Sequence, residues 1–344
     1  MLNKSMSAKF FRLALFSAAF AYLLVLLGAY ARVSDANLGC PVWPGCYGKA
    51  FEPLTAHQIY AARSDQAPPP DAAEEQAWKD TLHRYFSGSL GLLMFRLVYL
   101  GWQLKKRYRK QQVIIPGAVF LLVFLQTGLG VVTVKMHLKP LVVMMNLAIG
   151  LGILGLLWWV MLREQRFWKP VALNPRTRHL RYRALFALLL VVAEILLGGW
   201  TAGNDAALAC PDFPTCQGHL WPVMDFVNGF TLWRDVGLNY EGGMLDLSAI
   251  TAINMAHRIG ALITLLYVGW LALHTIRVGF DSNLCRYGML VLVLLLGQTV
   301  LGVLDVVLRM PVLIAVAHSG VAALLMLGLI TLNHVLRPRK SNGT

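Results

Sequence analysis

Nine histidines and five cysteines occur in the 344 residues of this chain, and a few of them recur in a pattern that chemistry can use. His83 is followed by Arg84 and His257 by Arg258, each pair near the start of a long apolar run. His318 lies about seven residues into the last such run, some 10 Å down a helix that rises about 1.5 Å per residue. Imidazole is a standard axial ligand to haem iron. A histidine one or two turns down one helix can face a histidine at the start of a neighbour across a planar cofactor. The arginine beside it can snorkel to the membrane surface and meet a carboxylate such as a haem propionate. A lone histidine would more simply be a hydrogen-bonded residue at an interface. Repetition of the His-Arg step shifts the balance toward a membrane protein that holds one or two haems.

The cysteines form a second pattern. Cys40-Pro-Val-Trp-Pro-Gly-Cys46 and Cys210-Pro-Asp-Phe-Pro-Thr-Cys216 share their spacing and both prolines. On an oxidising side of a membrane such pairs are expected to be short disulfide staples. Zinc binding is a rival reading, weakened because neither motif contains a histidine. Redox-active or cofactor-handling thiols are another. Cys285 has no partner in sequence and is expected to be an inert thiol. Glu194 and Arg96 are charges inside apolar runs, where ionisable groups are functional candidates. Glu194 reads as a buried polar contact or a member of a proton path.

Such groups must be positioned by elements that cross a bilayer. The chain is 57% hydrophobic and 14% charged, against about 25% charged in an ordinary soluble domain. Apolar runs are expected to span the membrane at roughly 10–31, 82–104, 112–134, 140–162, 184–203, 250–275, 285–307 and 311–335. Each is close to the ~20 residues that cross a hydrocarbon core. Helices are the form expected, since lipid offers the backbone no other partner. The first run is longer than the apolar part of a signal peptide. The formal net charge of +14 is concentrated before the first span, in the 105–110 and 163–183 loops, at Arg277 and Arg286, and after 335. The positive-inside rule makes that side cytoplasmic, with both termini there. Acids collect in the opposite loops. The basic character is thus explained by topology, and nucleic-acid binding is not expected.

The chain also repeats itself. Gly28-Ala-Tyr-Ala-Arg-Val-Ser-Asp35 and the Cys40–Cys46 motif match Gly198-Gly-Trp-Thr-Ala-Gly-Asn-Asp205 and Cys210–Cys216. His83-Arg84 matches His257-Arg258, and Gln126-Thr127-x-x-Gly130 matches Gln298-Thr299-x-x-Gly302. The expected fold is an all-α integral membrane protein of eight transmembrane helices. They form two parallel-repeat four-helix bundles related by a pseudo-two-fold axis along the membrane normal. The expected divisions are 1–165, a basic linker 166–183, and 184–344. Leu24 stands in the first half where Glu194 stands in the second.

Leu38-Gly-Cys-Pro-Val-Trp-Pro-Gly-Cys-Tyr-Gly48, Ala207-Leu-Ala-Cys-Pro-Asp-Phe-Pro-Thr-Cys-Gln-Gly218, Gly229-Phe-Thr-Leu-Trp-Arg234, Tyr240-Glu-Gly-Gly243 and Leu247–Arg258 together resemble the haem A synthase family, in the branch shared by proteobacteria and mitochondria. The resemblance covers nearly the whole chain. It implies a C-terminal half that holds haem b between two histidines, and an N-terminal half that holds haem O as substrate. It also implies oxidation of the haem O C8 methyl to a formyl group, giving haem A for cytochrome oxidase. On this resemblance His257 and His318 match the haem b ligands, His83 matches the first N-terminal ligand, and the two cysteine pairs match outer-loop pairs of the family. Arg84 and Arg258 follow two of these ligands. The setting it implies is the bacterial cytoplasmic (inner) membrane. The partners implied are haem O and the haem O synthase that supplies it, the oxidase assembly machinery, and membrane lipid. A quinol or other electron donor and a homo-oligomer stay open.

Two positions depart from the family pattern. The usual Glu-x-x-His-Arg reads Asp80-Thr-Leu-His83-Arg84, one methylene shorter at the acid. Asp80 could move protons or position a water at the oxidised carbon; a helix N-cap is the plainer role for it. More consequentially, Asn146 stands where a fourth histidine is expected, and an amide is a poor iron ligand. His137 is the nearest substitute, while Met144 and Met145 read as packing. Residues 49–81, with Pro68-Pro-Pro70, read as a flexible loop; 219–249 read as a more ordered one, in which Trp221, Trp233 and Tyr240 suit lid packing or an interfacial belt. Two alternatives remain beside the synthase: a degenerate, non-catalytic haem-binding assembly factor, and a di-haem b electron-transfer protein.

Overall fold

A computed structural model describes residues 2–34, 70–107, 114–135, 139–164, 179–233, 245–279 and 284–337. For 2–7, 70–78, 80, 106, 107, 134, 135 and 164 it describes the backbone alone. Eight long helices account for most of these residues. They are α1 (Leu2–Val33), α2 (Pro70–Arg107), α3 (Ile114–Lys135), α4 (Pro140–Glu164), α5 (Leu180–Gly203), α6 (Leu247–Val278), α7 (Leu284–Val307) and α8 (Val312–Val335). Between α5 and α6 lie a short 3-10 turn, Ala206–Leu208, and a single helical turn, Phe226–Gly229.

Seven of the eight are long and apolar enough to cross a membrane, and the chain is a multi-pass membrane protein. The exception by composition is α2, whose apolar centre is diluted by Ser87, Gly88, Ser89, Gly91 and Arg96. Large apolar side chains nevertheless point outward on it as on other helices: Leu92 is 74% exposed, compared with 73% for Phe124 on α3 and 64% for Leu266 on α6. Hydroxyls on these helices are satisfied by their own helix. Thr127, Thr201, Thr275, Thr299 and Thr331 each donate to the carbonyl four residues back, which keeps polar atoms away from lipid.

Helix α2 begins earlier than the apolar run suggests. Residues 70–81 are helical rather than loop, because Pro70 suits a first turn that needs no donor there and the acidic sequence after it complements a helix N-terminus. Asp80 therefore lies well inside α2 and does not cap it.

The packing order repeats. Within the first half α1 packs on α2 and α4, and α3 on α2 and α4; within the second, α5 packs on α6 and α8, and α7 on α6 and α8. The seam between halves is made by α1 on α8, α4 on α5, and α4 on α8. Small residues let these helices approach. A Cβ at Gly320 on α8 would come within 2.6 Å of Leu26 and 3.0 Å of the Tyr22 hydroxyl on α1. A polar bond also crosses the seam: Trp158 Nε1 on α4 donates to Thr331 Oγ1 on α8 at 2.9 Å. Within the second half, Asn333 Nδ2 on α8 donates to the Ala184 carbonyl on α5 at 2.9 Å. At the arginine-rich end Arg337 lies 3.6 Å from the centre of the Trp159 ring.

Candidate haem site and its lid

His257 sits on α6 against α5, where the absence of a side chain at Gly198 makes room for its ring: a Cβ there would lie 3.1 Å from His257 Cε1. One turn earlier on the same face of α5 comes Glu194. Its Oε1 is 2.7 Å from His257 Nδ1, and neither atom has another partner among the described residues. A Cβ at Gly260, one turn along α6, would overlap the second Glu194 oxygen. His318 sits on α8 against α7 in a parallel arrangement. A Cβ at Gly302 would lie 2.9 Å from its Cε1, and Gln298, one turn before Gly302, places Nε2 3.2 Å from His318 Nε2. His318 Nδ1 is buried without a hydrogen-bond partner among the described residues.

A lid covers this end of the second half. Cys210 and Cys216 are joined in a disulfide, so their sulfurs are not thiolates available to zinc. Arg258, next to His257, holds the loop they close. Its Nη1 donates to the carbonyls of Asp212 at 2.9 Å and Thr215 at 2.8 Å, and its Nη2 to that of Cys210 at 2.7 Å. Asn254 Nδ2 donates to the carbonyls of Ala206 and Ala207. The Asp212 carboxylate gathers the turn from inside. It accepts from the Thr215 hydroxyl, from Gln217 N at 2.6 Å and from Gly218 N at 3.0 Å. Those bonds, the Thr215 hydroxyl foremost, hold its carboxyl down from 3.8 to about 2. Further along, Trp200 Nε1 donates to the Gly229 carbonyl at 3.0 Å. Lys139, before α4, stacks 4.2 Å over the Trp233 ring, which joins the lid to the first half. Trp221 is 70% exposed. Tyr240 lies outside the described residues.

The first half repeats part of this. A Cβ at Gly28 would lie 3.5 Å from His83 Nε2, the counterpart of Gly198 against His257. Leu24, in the place of Glu194, is buried and apolar. Asn146 Oδ1 is buried without a hydrogen-bond partner among the described residues. Gln126, counterpart of Gln298, lies against Gly150, one turn past Asn146. Arg84 is half-buried beside His83, and Arg96 is exposed. Cys40, Cys46 and His137 lie outside the described residues. Cys285 is a free, half-buried thiol.

Glu194 is the residue whose partner could not be found from sequence. It lies on a different helix from His257, and no spacing rule links the two. The recurrence of Gln126 and Gln298 is a signal for the glutamine beside His318, without a role attached. The lid contacts of Arg258 leave no sequence trace, because all its acceptors are backbone carbonyls.

Among the described residues no three His, Cys, Asp or Glu side chains gather as they would around a bare metal ion. Two imidazoles from separate helices, each with a glycine-made recess, fit instead an iron whose remaining ligands a macrocycle supplies. The chain is 38% identical to the heme A synthase of Shewanella oneidensis over 94% of its own length and 95% of that protein's. It is 25% identical to that of Nitrosospira multiformis over 93% and 91%, and 24% identical to that of Geobacillus thermodenitrificans over 87% and 83%. The family described as cytochrome oxidase assembly protein (COX15-CtaA) matches residues 11–330, and the chain belongs to that family.

Proposed function

We infer that this chain is a haem A synthase, an oxidoreductase that converts the C8 methyl of haem O to the formyl group of haem A for cytochrome oxidase assembly. The reaction rests on heme A synthases that align along nearly the whole chain. The cofactor rests on one observation: His257 on α6 and His318 on α8 are each seated against a glycine of a neighbouring helix. In this reading they hold haem b in the C-terminal half, 184–344. Bound there, haem b supplies reversible electron transfer. The N-terminal half, 1–165, takes haem O, with His83 as its ligand and Asp80, one turn before it on α2, receiving a proton or positioning a water. Asn146, at the repeat position of His318, is an amide that would bind iron weakly. A one-sided grip eases exchange of substrate and product, which a synthase must release. Arg84 and Arg258 serve the outer edges of the two sites.

The same reading makes α2 an eighth span and relates the halves by a pseudo-two-fold axis along the membrane normal, with 166–183 as the cytoplasmic linker. Its support is the matched packing order and the matched pairs Gly28–His83 and Gly198–His257. The basic loops put both termini on the cytoplasmic side of a bacterial inner membrane. Haem O synthase, the oxidase assembly machinery and a quinol-type donor are the partners this implies.

Asn146 favours a second reading, a haem-binding assembly factor without catalysis. Haem extraction from a host that makes haem O separates them. The synthase reading expects haem A only when this chain is present. Haem O unchanged in its presence overturns it in favour of the second reading. An extract with haem b alone on the purified protein, and no haem A, points instead to an electron-transfer cytochrome.

A further inference from the structure

We propose that Glu194 is a positioning residue for the C-terminal iron site: its carboxylate takes the Nδ1 proton of His257, fixes the ring's tautomer and strengthens it as a ligand. The proposal rests on the reading of His257 as a haem ligand. The two groups are in ion-pair contact, 2.7 Å between Glu194 Oε1 and His257 Nδ1, a separation that suits a charge-assisted hydrogen bond. Both atoms are buried, and each is the other's only partner among the described residues. The seat is shaped for a carboxylate. Gly260 has no side chain, and the second Glu194 oxygen occupies the space that a Cβ would need. With Nδ1–H donating to Glu194, Nε2 keeps the lone pair that binds iron, and a carboxylate partner makes that nitrogen more basic. A more basic ligand favours the ferric state and lowers the reduction potential. His83 has Leu24 where His257 has Glu194, so the effect is confined to one half. A relay that passes electrons toward the N-terminal site needs that polarity.

Three variants of the purified haem-loaded protein test this by potentiometric titration with visible spectra. Glu194→Gln keeps size and fills the same recess, so it should retain the low-spin spectrum while the C-terminal potential moves positive. An unchanged potential in Glu194→Gln overturns the proposal and leaves Glu194 as packing. Gly260→Ala keeps the charge but drives the carboxylate off its seat, and should shift the potential in the same direction. A shift in Glu194→Gln with none in Gly260→Ala also overturns it, because the charge would then act through space and not through the hydrogen bond. His257→Ala checks the underlying reading separately. Loss of the low-spin signal is expected, and its persistence would remove His257 as a ligand whatever Glu194 does.

Discussion

At the scale of single residues, the proposed function turns on the contrast between His318 and Asn146. Both occupy matched positions in the repeat, yet one presents an imidazole and the other an amide whose oxygen is buried without a hydrogen-bond partner among the described residues. Asn146→His should raise haem content from about one towards about two per chain and add a low-spin component, measured by pyridine haemochrome assay against protein. An unchanged content would mean that the amide does not limit the N-terminal site. The candidates His257 and His318, and the amide at Asn146, were legible in sequence because they sit in a repeat that names its own counterparts. The Glu194–His257 contact was not, since a pair joined across two helices carries no periodic signal. The role of Arg258 as a clasp was hidden for a related reason: carbonyl acceptors are the same at every position.

At the scale of elements, the lid and α2 behave differently from their sequence signals. Alternation of acids and prolines before position 82 reads as loop, but the stretch from Pro70 is helix, so propensity and a favourable first turn outweigh polarity there. The lid turn depends on one carboxylate. Because the Asp212 carboxyl is held at about 2 in place of 3.8, its contribution to the turn is present above the ordinary value and is lost as pH falls from about 4 toward 2. Amide protection at Gln217 and Gly218 should therefore drop over that window, as read by hydrogen exchange. Asp212→Asn should show weak protection at every pH. A flat profile in the unmodified protein would show that Arg258 and the disulfide hold the turn alone.

At the scale of the whole molecule, the repeat in the sequence is matched by the same order of packing in each set of four helices. What sequence could not give was the seam, because the residues that make it are small or apolar and look like any others in a span. Gly320→Val would push α1 from α8 at Leu26 and Tyr22 and should cost about 1–3 kcal/mol, seen as a lower melting temperature in detergent; no change would mean the seam relaxes freely at that point. The seam has one more consequence. Its helix contacts, α1 on α8, α4 on α5 and α4 on α8, and its cross-bond Trp158–Thr331 join the two halves directly. Covalent continuity is then dispensable once both halves are inserted. A chain cut within 165–178 and expressed as two polypeptides should reassemble into one complex that co-purifies through a tag on either piece. Recovery of the tagged piece alone would show that the connection itself, and not the seam, keeps the halves together.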